Sequence, residues 1–159
     1  MRNLLRTVIP FIAAIALLAG CAATPLATNE SDADAKRFET AANAALIYVY
    51  RPTGYGGHGV STLWIDDRLV GETLPGTFFR VAVRPGRNRV TTGGNDMGRI
   101  EIDTKADGVY FIEAQVAGET QSESKTTFRA VSPDAGKSAV QGCCRMLEAW
   151  RPGQWRFNY

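Results

Sequence analysis

With 159 residues, 45% of them hydrophobic, the chain is long enough to bury one real core and too short for several domains. Its 18 basic and 16 acidic residues give a formal charge of +2, and Arg2 and Arg6 account for that excess, so the 139 residues after position 20 are neutral. Displacing counterions from phosphates needs concentrated cationic surface, which neither the balance nor the spacing of Lys and Arg supplies, so nucleic acid is not an expected partner.

Arg2 and Arg6 precede an apolar run from Val8 to Ala19, broken only by Pro10, that ends in Leu18-Ala19-Gly20-Cys21. This is the layout of a secretory signal. A helix of that run would rise about 18 Å, well short of the roughly 30 Å hydrocarbon core, which argues against a permanent transmembrane span. The Leu-Ala-Gly-Cys ending resembles the lipobox of bacterial lipoproteins. The resemblance implies cleavage between Gly20 and Cys21 and acylation of the Cys21 thiol, with palmitate-type chains anchoring the protein. Each buried methylene contributes about 0.8 kcal/mol, so two or three chains anchor stably where one does not. By the same resemblance, Ala22 after the cysteine implies the periplasmic side of the outer membrane. The competing reading is an ordinary signal peptide with an incidental cysteine.

Residues 21–43 read as a lipidated tether, because Ala, Thr, Ser, Asn, Asp and Glu dominate and Phe38 is the only aromatic. About 20 flexible residues would reach roughly 25 Å. A short helix over 32–39 would lay Phe38 onto the domain. Period-two alternation with close turn punctuation then predicts strands at 45–51, 62–66, 69–74, 77–83, 88–92, 99–103, 109–116 and 125–131. Asp67-Arg68 marks a tight hairpin, and Pro75-Gly76, Pro85-Gly86, 93–96 and Asp107-Gly108 mark other turns. The pattern predicts an all-β domain over 44–131, an antiparallel β-sandwich of about seven or eight short strands. Ser132-Pro133 predicts an N-cap and first helical position for a C-terminal helix to about Glu148, weakened at Gly136 and Gly142. An aromatic tail completes the segment 132–159.

The strand Ala45-Leu46-Ile47-Tyr48-Val49-Tyr50-Arg51-Pro52 resembles the opening of a widespread family of bacterial lipoproteins that carry a domain of unknown function. The 65–71 hairpin, Gly76-Thr77-Phe78-Phe79, Arg84-Pro85-Gly86 and the 107–112 strand follow in the same order. The resemblance spans roughly 45–131 and is weakest after Val131. It implies a β-sandwich used as an adhesion or accessory module, with no reaction and no catalytic residues to carry over.

Several candidate sites compete with simpler readings. Gly54-Tyr55-Gly56-Gly57-His58-Gly59 matches a dinucleotide fingerprint by letter, but a strand-like stretch follows where a helix must hold the pyrophosphate, so a mobile connection between strands is favoured. Gly136-Lys137-Ser138 lacks the first glycine of a phosphate-binding loop, since Val131 stands there. His58 is the single histidine, so it is at most a lone general base, and Tyr55 and His58 are read as a candidate partner surface. Asp66-Asp67 are read as turn residues, not paired catalytic carboxylates, because adjacent strand positions face opposite ways. Arg51 is read as a structural strand end in preference to a recognition residue. Trp155, Phe157 and Tyr159 would share one face of an extended strand, either closing the core or forming a second partner surface.

Once Cys21 is acylated, only Cys143 and Cys144 remain, either reduced and packed, closed into a strained adjacent-residue disulfide, or paired with another chain. A metal site from these two and His58 would need a further ligand, and none is expected. The sequence thus points to a membrane-anchored, periplasm-facing lipoprotein with a non-enzymatic binding or accessory role. It has no expected cofactor, its expected partners are envelope proteins or cell-wall components, and its oligomeric state is open. The alternatives are a small thiol-dependent hydrolase or redox lipoprotein using Cys143 and Cys144, and a purely structural envelope protein.

Overall fold

Strand β1 (Ala45–Arg51) is buried along its whole length, so each of its faces has its own cover. A computed structural model describes residues 24–54, 59–93, 96–120 and 122–150. Ile47 and Val49 enter a core with Leu63, Ile65, Val81, Val90 and Ile112. Leu46, Tyr48 and Tyr50 pack on the other side with Phe78 and Phe111, beneath Ala35, Phe38 and Val140. The first cover is a second sheet and the second is a thin helical layer.

The remaining strands are β2 (Ser61–Ile65), β3 (Arg68–Thr73), β4 (Thr77–Val83), β5 (Gly86–Thr92), β6 (Arg99–Thr104), β7 (Val109–Ala117), β8 (Lys125–Val131) and β9 (Arg145–Met146). One sheet has the order β8-β7-β1-β4-β9 and the other β3-β2-β5-β6. The predicted all-β sandwich with a C-terminal helix is the observed class. The spans of β1, β4 and β8 coincide with the predicted ones, β2, β3, β5, β6 and β7 move by one or two residues, and β9 is not among the predicted strands, its residues falling in the span predicted as C-terminal helix. The purely antiparallel expectation needs one correction. β1 pairs with β7 in parallel, Tyr48 opposite Phe111, and β9 lies parallel to β4. Strands far apart in sequence are free of the hairpin constraint that makes neighbours antiparallel.

The β2–β3 hairpin turns one residue earlier than predicted. Ile65 pairs with Arg68, and Asp66 and Asp67 occupy the two central positions with φ of 49° and 62°. Left-handed backbone at both positions matches the twist of the flanking strands, and aspartate tolerates it. Asp66 also accepts hydrogen bonds from Asn88 Nδ2 at 2.7 Å and from the Arg89 N–H at 2.8 Å, tying the turn to β5.

The tether expectation fails from Thr24 onward. Thr24 is buried, and its Oγ1 accepts the Glu72 N–H at 2.8 Å. The Ala27 N–H donates to Met146 O, and Leu26 bridges Leu147. Helix α1 (Asn29–Ala35) is capped by Thr28 and starts three residues before the predicted short helix, which nevertheless delivers Phe38 onto the domain as expected. The Tyr48 hydroxyl donates to Ala35 O at 2.7 Å. Low apolar content rules out independent folding, but a segment that docks on a sheet already formed needs only a few well-placed groups.

Helix α2 (Pro133–Cys143) starts as predicted, with Ser132 as N-cap and Pro133 in the first turn, but ends before Glu148. The chain turns extended at Cys144, so that Arg145 N–H reaches Gly76 O and Leu147 N–H reaches Phe78 O along the edge of β4. Leu147 is thereby fully buried in the core between the sheets. Gly136 is a packing requirement rather than a weak point, since a Cβ there would lie 2.1 Å from Phe111 Cγ.

Candidate functional site

The two ends of the described chain meet along the outer edge of β3. Thr24 is held by Glu72, the Trp150 N–H donates to Val70 O at 2.7 Å, and between them the Glu148 N–H donates to Pro25 O at 2.9 Å. This terminal zipper covers an edge strand whose unpaired backbone would otherwise invite pairing with another chain. Leu26, with 52% of its surface exposed, stands on it. Cys21 and Gly20 lie outside the described residues, as do Tyr55, His58, Trp155, Phe157 and Tyr159. The fold does locate where those segments attach: the N-terminal one at Thr24, the C-terminal one at Trp150, the glycine loop between β1 and β2.

That loop is followed by strand β2, so the dinucleotide fingerprint is a coincidence of letters. Its far end is fixed: Arg51 Nη1 donates to Gly59 O at 2.6 Å, and a Cβ on Gly59 would lie 2.3 Å from Ser124 Oγ. Arg51 is 1% exposed and also reaches Thr73 O at 3.4 Å, which is the structural role expected of it. Burial pushes its guanidinium pKa down. Lys137 and Ser138 sit inside α2, which follows β8 after Ser132 alone, so no loop is present there to cradle a phosphate.

Cys143 and Cys144 are joined as an adjacent-residue disulfide at the end of α2. Cys144 is buried with its Sγ 3.8 Å from Arg51 O, and Cys143 is half-buried. With both sulfurs in the bond, neither is a thiolate nucleophile in this form. Among the described residues no group of three or more His, Cys, Asp or Glu side chains is arranged to hold a metal.

Two buried carboxylates carry the strongest local electrostatics. Asp96 Oδ2 accepts from Ser61 Oγ at 2.7 Å and from the Thr126 hydroxyl, and Oδ1 accepts from the Thr126 N–H at 2.8 Å and the Gly98 N–H at 3.2 Å. Burial pushes its pKa up, but these donors, the Thr126 hydroxyl foremost, hold it below the usual carboxylate range. Both oxygens are engaged by protein donors from β2, β8 and the segment before β6, so Asp96 clasps the two sheets. Glu113 accepts from Tyr50 Oη at 3.0 Å, Arg129 Nη2 at 2.8 Å and Gln115 Nε2 at 2.7 Å. Burial pushes its pKa up too, and the hydrogen bonds from Gln115, Arg129 and Tyr50, with the Arg129 charge, again hold it low. Burial and Glu113 together push Tyr50 up to about 12.

Sequence reasoning missed both carboxylates. Asp96 follows Gly-Gly-Asn and reads as a turn residue, so nothing local marks it. Glu113 carries a faint signal as the lone charge in Val109–Ala117, aligned with Tyr50 of the paired strand.

The arrangement defines a class: an all-β, two-sheet domain with helices over one sheet and the two ends of its described region zipped together beside β3. No protein-family model matches the chain. A Haemophilus influenzae protein described as "Uncharacterized protein" is 30% identical over 126 residues, covering 78% of this chain and 74% of that one. The chain belongs to the family of that protein.

Proposed function

We propose that this is an envelope lipoprotein, cut before Cys21, acylated on that residue, and held on the periplasmic side of the outer membrane, where its domain serves as a non-enzymatic binding or accessory module. The observation that carries the reading is the order Arg2, Arg6, the apolar run to Ala19, then Gly20-Cys21. Support comes from Thr24, three positions after the acylated residue, being already buried and fastened to Glu72 of the domain. Further support comes from the use of the buried ionisable groups, since Asp96 and Glu113 spend their hydrogen-bonding capacity on internal donors. The partner surfaces are the Tyr55/His58 loop and the Trp155, Phe157 and Tyr159 tail, and the partners are envelope proteins or cell-wall components.

Metabolic labelling with radioactive palmitate tests the anchor. Label in the wild type that disappears in Cys21→Ala, with release of the variant from the membrane fraction, is the expected result. An unlabelled wild type would refute it. Crosslinking in intact envelopes tests the module: wild type is expected to capture partners that the Trp155→Ala/Phe157→Ala/Tyr159→Ala variant does not.

A further inference from the structure

We infer that the β3 edge, with the terminal zipper over it, is the face this domain lays against the lipid headgroups. The inference rests on the reading of Cys21 as the acylated residue. Three peptide units separate Cys21 from Thr24, and an extended chain spans at most about 3.6 Å per residue, so Thr24 lies within roughly 11 Å of the anchor. Thr24 is buried and fastened to Glu72, and residues 25–27 are fastened to the 146–148 segment, so no slack is available beyond that point. The roughly 25 Å of reach that a 20-residue tether would have supplied is absent.

The orientation follows from the same contacts. The edge strand nearest the anchor is β3, and β6 lies at the far side of the same sheet. Strand spacing of about 4.8 Å puts β6 roughly 14 Å farther from the bilayer when β3 rests on it. Leu26, one of two large apolar residues strongly exposed among those described, lies in the zipper, bridged to Leu147 and five positions from Cys21. The other, Met97, is just before β6. Trp150 leaves the described region beside Val70, on the same edge, so the chain carrying Trp155, Phe157 and Tyr159 starts there. Glu72 and Glu148 on this edge are balanced by the exposed Arg68 and Arg145, so the covalent link and its shortness, not net charge, hold the face down.

The test uses the full-length acylated protein in native membranes, with the photoreactive residue benzoylphenylalanine introduced as Leu26→benzoylphenylalanine, Glu148→benzoylphenylalanine or Glu101→benzoylphenylalanine. Phospholipid adducts from positions 26 and 148 and their loss at position 101 are expected. Inserting about twelve Gly/Ser residues between Ala23 and Thr24 adds roughly 20 Å of reach and is expected to abolish the adducts at 26 while palmitate incorporation persists. Equal adducts from 26 and 101, or adducts at 26 that survive the insertion, would overturn the inference while the lipoprotein reading stands. Absence of palmitate on the wild type would overturn the lipoprotein reading and the inference with it.

Discussion

Leu26 and Leu147 pair as an antiparallel bridge between the two ends of the described chain, one exposed and the other fully buried. The asymmetry separates two roles. Leu147→Ala empties a site in the inter-sheet core and is expected to cost about 3 kcal/mol, or roughly 10 °C in Tm. Leu26→Ser is expected to leave Tm unchanged, because its side chain is already half in water. Thermal denaturation followed by circular dichroism compares the two.

Acid stability depends on Asp96 and Glu113. Both are held below the usual carboxylate range in the folded protein, so their contribution is complete above the unfolded values near pH 4 and is lost as pH falls through the lower folded values. Asp96→Asn is expected to cost about 2 kcal/mol at neutral pH, because an amide cannot accept all the donors that the carboxylate does, and to flatten the acid limb. Urea denaturation between neutral pH and about pH 3 reads both effects.

The alkaline limb has the opposite sign. Tyr50 is pushed up to about 12, so its contribution is present below the ordinary phenol value near 10 and disappears as pH rises from there towards 12. Burial raises Tyr48 as well, against the lowering effect of Arg80. Tyr50→Phe is expected to remove part of the alkaline loss and leave the share due to Tyr48. Tyrosinate absorbance and ellipticity recorded together along a pH titration provide the check.

Two glycines of α2 should respond in opposite directions. Gly136→Ala forces a methyl against the Phe111 ring and is expected to cost about 2 kcal/mol or more. A Cβ at Gly142 meets nothing within 4 Å, so Gly142→Ala is expected to gain roughly 0.5 kcal/mol from reduced freedom of the unfolded chain. Chemical denaturation of the two variants gives the sign of each change.

Most of the strand pattern was legible before any coordinates. β1, β4 and β8 follow from alternating side chains bounded by turn residues, and Ser132-Pro133 marks the start of α2. These are local signals, carried by residues within a few positions of one another. The candidate edge was not legible in the same way. Thr24 contributes one hydroxyl and residues 25–27 contribute mainly backbone, which no hydropathy pattern can rank.

The sequence by itself determined the positions of β1 to β8 to within two residues, the neutrality of the chain after position 20, and the signal layout that singles out Cys21, because each depends on composition or short-range periodicity. Tertiary structure alone decided the parallel seating of β1 beside β7, the burial of Asp96 and Glu113, the end of α2 at Cys143, and the absorption of residues 24–43 into the domain. Each of those outcomes depends on a backbone or side-chain partner far away along the chain. Such partners come within reach only when the two sheets close, and they drew residues 24–43 of the predicted tether into the domain.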